Sequence, residues 1–174
     1  MVSNKKRLYI ALYPSGNTSE RLDLKYHLAF IIGPKNEDGE KVPGTKFHIK
    51  NSPGGGWQYV EDPLPDVQTE VRLLVRILIA KITDENQLIE VFRNTPIFQK
   101  DPTFNCRIWV IDALSRLSNN RKVVGTSQLD WKMIEDRARS YVAVKTVMGR
   151  FGEGQDMTKP KPTWNLLEDK EVVS

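Results

Sequence analysis

Three side chains in this sequence could carry covalent chemistry between them: Cys106, His27 and His48. A thiolate is a strong nucleophile, and an imidazole is the side chain that exchanges a proton near neutral pH. Cys106 follows Asp101-Pro102, a pair that opens helices because Asp accepts first-turn amides and Pro is preorganised for the first helical position. A thiol in the first turns of a helix meets unpaired amides and the positive end of the helix dipole, which draw its pKa toward the thiolate. A structural reading stands beside this one. Cys106, Val110, Ala113 and Leu117 recur at helical spacing, so Cys106 could equally be a small member of a core-facing stripe.

His27 lies in the apolar run KYHLAFIIG, where its same-face neighbours Ala29 and Ile31 leave room above it. An imidazole buried there needs a partner. The thiol is one, and a backbone carbonyl or Asp23 is the structural alternative. His48, in TKFHIKN, is flanked by Lys46 and Lys50, which marks its face as solvated. Its strand is nevertheless expected beside that of His27, which would let it orient the first imidazole. Attack on a carbonyl also needs oxyanion donors, and the candidates are the amide of Cys106 and the side chains of Gln99 and Asn105. Gln99 could equally be an exposed loop amide. Gly54-Gly55-Gly56 lacks the spacing and the following Lys of a phosphate-binding loop and reads as a flexible turn. Asp112 and Glu135 read as members of solvated helix faces.

The elements that must position these groups follow from periodicity. Strands are expected at residues 7–13, 25–33, 45–51, 57–60 and 71–82, with Ser52 to Gly56 as a hairpin return and a meander as the simplest pairing. Helices are expected from Asp84 to Asn94, from Asp101-Pro102 to about Asn119, and from about Leu129 to Met148. The fold class is therefore α+β, an antiparallel sheet of about five strands packed against helices. Residues 1–149 form one domain. Residues 150–174, rich in Gly, Pro and charge, read as a tail that is partly docked or disordered, with Trp164, Leu166 and Leu167 available to dock.

Composition narrows the function classes. A chain of 174 residues can bury a full core without a staple. One cysteine and two histidines exclude a disulfide framework and a Cys-rich zinc site, and no metal or cofactor is expected. A net charge of +4 with only short basic runs argues against nucleic acid as a partner. The run after Lys5, Lys6 and Arg7 is too short and polar for a signal peptide, and residues 71–82 carry Arg72, Arg76 and Lys81. The expectation is a cytoplasmic protein with no membrane span, in a compartment that keeps Cys106 reduced.

The strand motif His27-Leu28-Ala29-Phe30-Ile31-Ile32-Gly33, a second strand histidine at His48, and the later Asn105-Cys106-Arg107-Ile108-Trp109-Val110 together resemble circularly permuted papain-like thiol proteins. That group includes the lecithin:retinol acyltransferase-like, PPPDE and permuted NlpC-like families, in which the His strand precedes the Cys helix. Leu28 stands where many of them carry Trp or Thr, and the aromatic after the cysteine is displaced to Trp109. The resemblance covers roughly residues 26–117. It implies Cys106 as nucleophile, His27 as general base, His48 as the group that orients it, and a permuted papain-like fold. The function so implied is a hydrolase or acyltransferase that acts on a peptide, amide or acyl-ester substrate through an acyl-thioester. The alternative is a non-catalytic interaction module on the same fold. Lys46, Lys50, Arg72 and Arg76 would suit an acidic ligand, as they would a solvated strand face.

Overall fold

The computed structural model describes residues 4–16 and 25–174. Among them eight strands form one sheet: β1 (Arg7–Pro14), β2 (Tyr26–Gly33), β3 (Gly44–Asn51), β4 (Trp57–Leu64), β5 (Val75–Ile82), β6 (Val124–Ser127), β7 (Thr163–Asn165) and β8 (Lys170–Val173). Among the described residues three α-helices accompany them: α1 (Glu85–Asn94), α2 (Cys106–Ser118) and α3 (Trp131–Val147). The strand order is β4-β3-β2-β1-β5-β7-β8, with β6 paired to β5. The first four strands form the expected meander, because each polar or Gly-rich connection returns the chain beside the strand it left.

The sheet is larger than the five strands expected, and it is mixed, since β7 runs parallel to β5. The additional strands are three or four residues long and show no apolar alternation, so nothing in their composition marks them as strands. They form because β5 offers hydrogen-bonding edges: Arg76 N donates to Pro162 O and Leu166 N to Leu78 O. The segment read as a tail thus contributes two strands, and Lys145 of α3 holds Glu171 of β8 at 2.8 Å.

One face of the sheet is covered by the helices. Leu8, Ile10, Leu28, Phe30, Phe47, Ile49, Ile77 and Ile79 alternate along their strands and meet Phe92, Trp109, Val110 and Ile134. Phe30 stacks on Phe92 at 4.5 Å and meets Trp109 edge-on at 5.8 Å. Burial of each such side chain contributes about 1.5–3 kcal/mol. The other face, carrying Tyr9, Ala11, Tyr13, Ala29 and Ile31, is covered by Val42, Val67 and Leu73 from the connections and by Leu167. Coverage on both sides explains why β1 and β2 read as apolar on both faces. Among the described residues no helix is long and apolar enough to cross a membrane.

Candidate active site

The site begins where two strands part. β1 and β2 pair along all their residues, Tyr13 opposite His27, whereas β2 and β3 pair only from Phe30 to Ile32. Below Phe30 the ladder is open, and His27 and His48 face each other across it on the loop-covered side. His27 Nε2 lies 2.8 Å from His48 Nδ1, and His48 Nε2 lies 2.8 Å from Asp62 Oδ2. Asp62 stands opposite Lys46 in the β3/β4 register, one diagonal step from His48.

Proton bookkeeping orients this row. A carboxylate only accepts, so His48 Nε2 carries the hydrogen and His48 Nδ1 is left as an acceptor. His27 Nε2 must then donate, and its other nitrogen, Nδ1, keeps a free lone pair. Both rings rest neutral. Burial, followed by the charges of His48, Lys46 and Arg72, pushes the His27 pKa down to about 4. Burial also lowers His48, although the hydrogen bond to Asp62 opposes it.

Cys106 is the first residue of α2 and is 8% exposed. Helix α2 starts here rather than at Asp101-Pro102, because the Asp101 carboxylate closes a local turn onto Thr103 and Asn105 supplies the cap, accepting from Ile108 N at 3.1 Å. Burial raises the Cys106 pKa, and the amides of Leu28, Arg107 and Cys106 itself pull the other way. Placement at the helix start is expected to lower it. Desolvation outweighs the amides because the sulfur is inserted against β2, beside the residue that follows His27. Cys106, His27, His48 and Asn105 line one cleft of about 420 Å³, walled on its apolar side by Tyr26 and Trp57.

Residues 5–173 match the model of a family of unknown function, DUF6914. The chain belongs to this family. No curated protein and no solved structure matches it.

In this DUF6914 chain the structure thus gathers four of the five side chains picked out in the sequence. Gln99 stands apart: its Oε1 accepts from Trp57 N at 2.7 Å and its Nε2 donates to Trp57 O at 2.6 Å, so its amide clamps the β3/β4 hairpin. It is turned onto the Trp57 backbone, is not among the residues lining the cleft, and drops out as an oxyanion group. The side chain of Asn105 is half used, its oxygen committed to the cap. His48 is 5% exposed, not solvated, because Lys46 folds over the Tyr13 ring at 4.7 Å and shields that face. Asp23 lies outside the described residues. Glu135 is not on a free helix face either; Arg107 grips it at 2.6 and 2.9 Å. Sequence reasoning misses Asp62 and Tyr13. A strand ending at Val60 leaves Asp62 outside the sheet, and Tyr13 is indistinguishable from the other apolar residues of its strand. Among the described residues no group of three or more His, Cys, Asp or Glu is arranged to hold a metal ion.

Proposed function

We propose that this DUF6914 protein is a cysteine-dependent hydrolase or acyltransferase that acts on an amide or ester carbonyl, with a circularly permuted papain-like arrangement of its site. One observation carries the reading: the row Asp62–His48–His27 leaves His27 Nδ1 with a lone pair, and His27 and Cys106 line the same cleft. A hydrogen-bonded row that only stabilised the sheet would have no reason to end on an open cleft containing the single thiol.

The thiol and the His27 ring are not hydrogen-bonded at rest, because Cys106 belongs to the helix-side core. Once the Cys106 side chain turns into the cleft, His27 Nδ1 takes its proton as the sulfur bonds to the carbonyl carbon, and the oxygen takes up the electron pair beside the Cys106 amide. Collapse of this adduct expels an amine or alkoxide, which receives the proton from His27. An acyl-thioester remains on Cys106. Water or an amine acceptor, deprotonated by His27, attacks it and restores the thiol. The resting state is a neutral pair, because burial and the nearby Lys46 and Arg72 disfavour imidazolium. His48 and Asp62 hold the tautomer and temper the transient charge. A reducing compartment, the cytoplasm, belongs to this proposal because the thiol must stay free.

The test is mass detection of a covalent adduct after incubation with 4-nitrophenyl acetate, read beside iodoacetamide labelling at neutral pH. The expected results are one acetyl group on Cys106, none in Cys106→Ala, and labelling slowed about a hundredfold in His27→Ala. No adduct, together with labelling no faster than that of a model thiol and indifferent to His27→Ala, would overturn the reading. It would leave the interaction module, which the burial of Cys106 favours.

A further inference from the structure

The cleft holds more than the thiol and the imidazole need. Its other half is built from Tyr13, Lys46, Arg72, Lys50 and Glu70. The Tyr13 hydroxyl is fully buried and makes no hydrogen bond of normal geometry, the Glu70 carboxylate being its nearest acceptor. A buried hydroxyl left unpaired is destabilising by about 1–3 kcal/mol, so it calls for a ligand group. Arg72 spends one guanidinium nitrogen on Pro14 O at 3.3 Å and is otherwise exposed to the cleft. Lys46 is shared loosely, 3.6 Å from Glu70 and 3.9 Å from Asp62, and Lys50 stands exposed at the rim.

We propose that this half of the cleft is a subsite for a carboxylate carried on the acyl or peptide substrate, with Arg72 and Lys46 as its counter-charges and the Tyr13 hydroxyl as a donor to one oxygen. The inference rests on the thiol reading for the word substrate, but the binding itself does not require catalysis. Charge decides in favour of a single carboxylate over a phosphate. Lys46, Lys50 and Arg72 face Glu70 and Asp62, leaving one net positive charge, which a monoanion balances and a dianion overfills. The Arg72 fork suits a planar carboxylate. The Tyr26 and Trp57 wall at the Cys106 end would take the uncharged part of the same molecule.

The chain has only two histidines, and both line the cleft, so their imidazole proton resonances report binding without any reaction. The probes are glutaramate, which carries one carboxylate and one amide, its neutral counterpart glutaramide, and inorganic phosphate. Glutaramate is expected to shift both resonances saturably and to bind about tenfold tighter than glutaramide. Arg72→Gln is expected to erase that preference and Tyr13→Phe to weaken glutaramate severalfold, whereas Arg121→Gln, far along the chain, leaves it intact. Equal binding of glutaramate and glutaramide, a preference untouched by Arg72→Gln, or phosphate binding as tightly as glutaramate would each overturn the proposal. An acyl-enzyme that never forms would count against the thiol reading alone, because this titration measures only occupancy.

Discussion

Two polar clusters share the loop-covered face of the sheet, and they are finished to different degrees. Around Arg76 every guanidinium nitrogen has an acceptor. Its Nη1 and Nη2 each meet a Glu37 oxygen at 2.8 Å, its Nε meets Thr163 Oγ1 at 3.1 Å, and the guanidinium lies 4.4 Å from the Tyr9 ring centre. Tyr9 in turn donates to Glu37. Arg76 is 2% exposed, and its cluster ties the connection after β2, the start of β5 and the start of β7 into one body. Around His27 the same ingredients are left open: a ring nitrogen with a lone pair, a buried hydroxyl with no hydrogen bond of normal geometry, a guanidinium on one carbonyl, and a cleft in front of them. A closed cluster stabilises the fold and offers nothing to a ligand. An open one is destabilising at rest and gains by binding.

The contrast breaks most visibly through Arg76→Met. Removing one partner of a buried pair leaves Glu37 and Thr163 uncompensated, and the expected loss is about 3–5 kcal/mol. Urea unfolding should show the midpoint fall at constant slope. The iodoacetamide rate of the remaining folded protein should not change, since Arg76 has no part in the His27 row. A normal stability in this variant would remove the distinction between the clusters.

The next largest effect is a pH dependence. The folded pKa of His27 is about 4 against an ordinary 6.5, because burial disfavours the imidazolium. Between those values the unfolded chain binds the extra proton, so stability is complete above pH 6.5 and is lost as pH falls toward 4. The linked loss is about 3 kcal/mol. Urea midpoints of the native protein and of His27→Gln across this window should diverge by that amount, the variant having the flatter profile. Parallel profiles would mean that His27 is already charged in the fold.

The sequence shows the residues of the open cluster but not the closed one, since Arg76 reads as a solvated strand residue and is 2% exposed. The two strands that carry the histidines, and their neighbourhood in a meander, follow from KYHLAFIIG and TKFHIKN, and the place of Cys106 on an apolar helix stripe follows from spacing; that the two rings share a face is seen only in the fold. The features that are not legible depend on partners far along the chain. Asp62 reaches His48 only through the β3/β4 register, and its strand carries too much polarity and a proline to read as continuing. The Gln99 amide reads as free because its acceptor and donor belong to Trp57. β7 exists because β5 has an unpaired edge, not because Thr163-Trp164-Asn165 favours a strand. The burial of His48 depends on how Lys46 folds over Tyr13, which flanking charges alone do not foretell.

A smaller effect, on reactivity alone, is expected from Asp62→Asn. The new amide can donate to His48 Nε2, which turns His48 Nδ1 into a donor and forces the His27 hydrogen onto Nδ1. The base is then blocked without any loss of packing. Iodoacetamide labelling of Cys106 should slow about tenfold while stability moves by less than about 1 kcal/mol. Asp62→Glu, which still accepts, should recover part of the rate. If the rate is unchanged in Asp62→Asn, the row does not set the tautomer of His27.

The smallest effect is the one that separates the clusters most cleanly, because it uses the same substitution on one strand. Tyr9 and Tyr13 both lie on β1 with their rings on the loop-covered face, and both are nearly buried. The Tyr9 hydroxyl donates to Glu37 at 3.1 Å, so Tyr9→Phe deletes a bond to a charged acceptor and should destabilise by about 1–2 kcal/mol. The Tyr13 hydroxyl makes no hydrogen bond of normal geometry, and Tyr13→Phe removes a desolvated polar group while keeping the ring between His27 and Lys46. Its stability should be unchanged or higher by up to about 1 kcal/mol, since only the penalty disappears. Calorimetry on the two variants should therefore show melting temperatures that move apart. Should Tyr13→Phe fall as far as Tyr9→Phe, its hydroxyl is satisfied in solution, with the Glu70 carboxylate as the nearest candidate. The open cluster would then be as complete as the closed one, and the case for a ligand group at that end of the cleft would go with it.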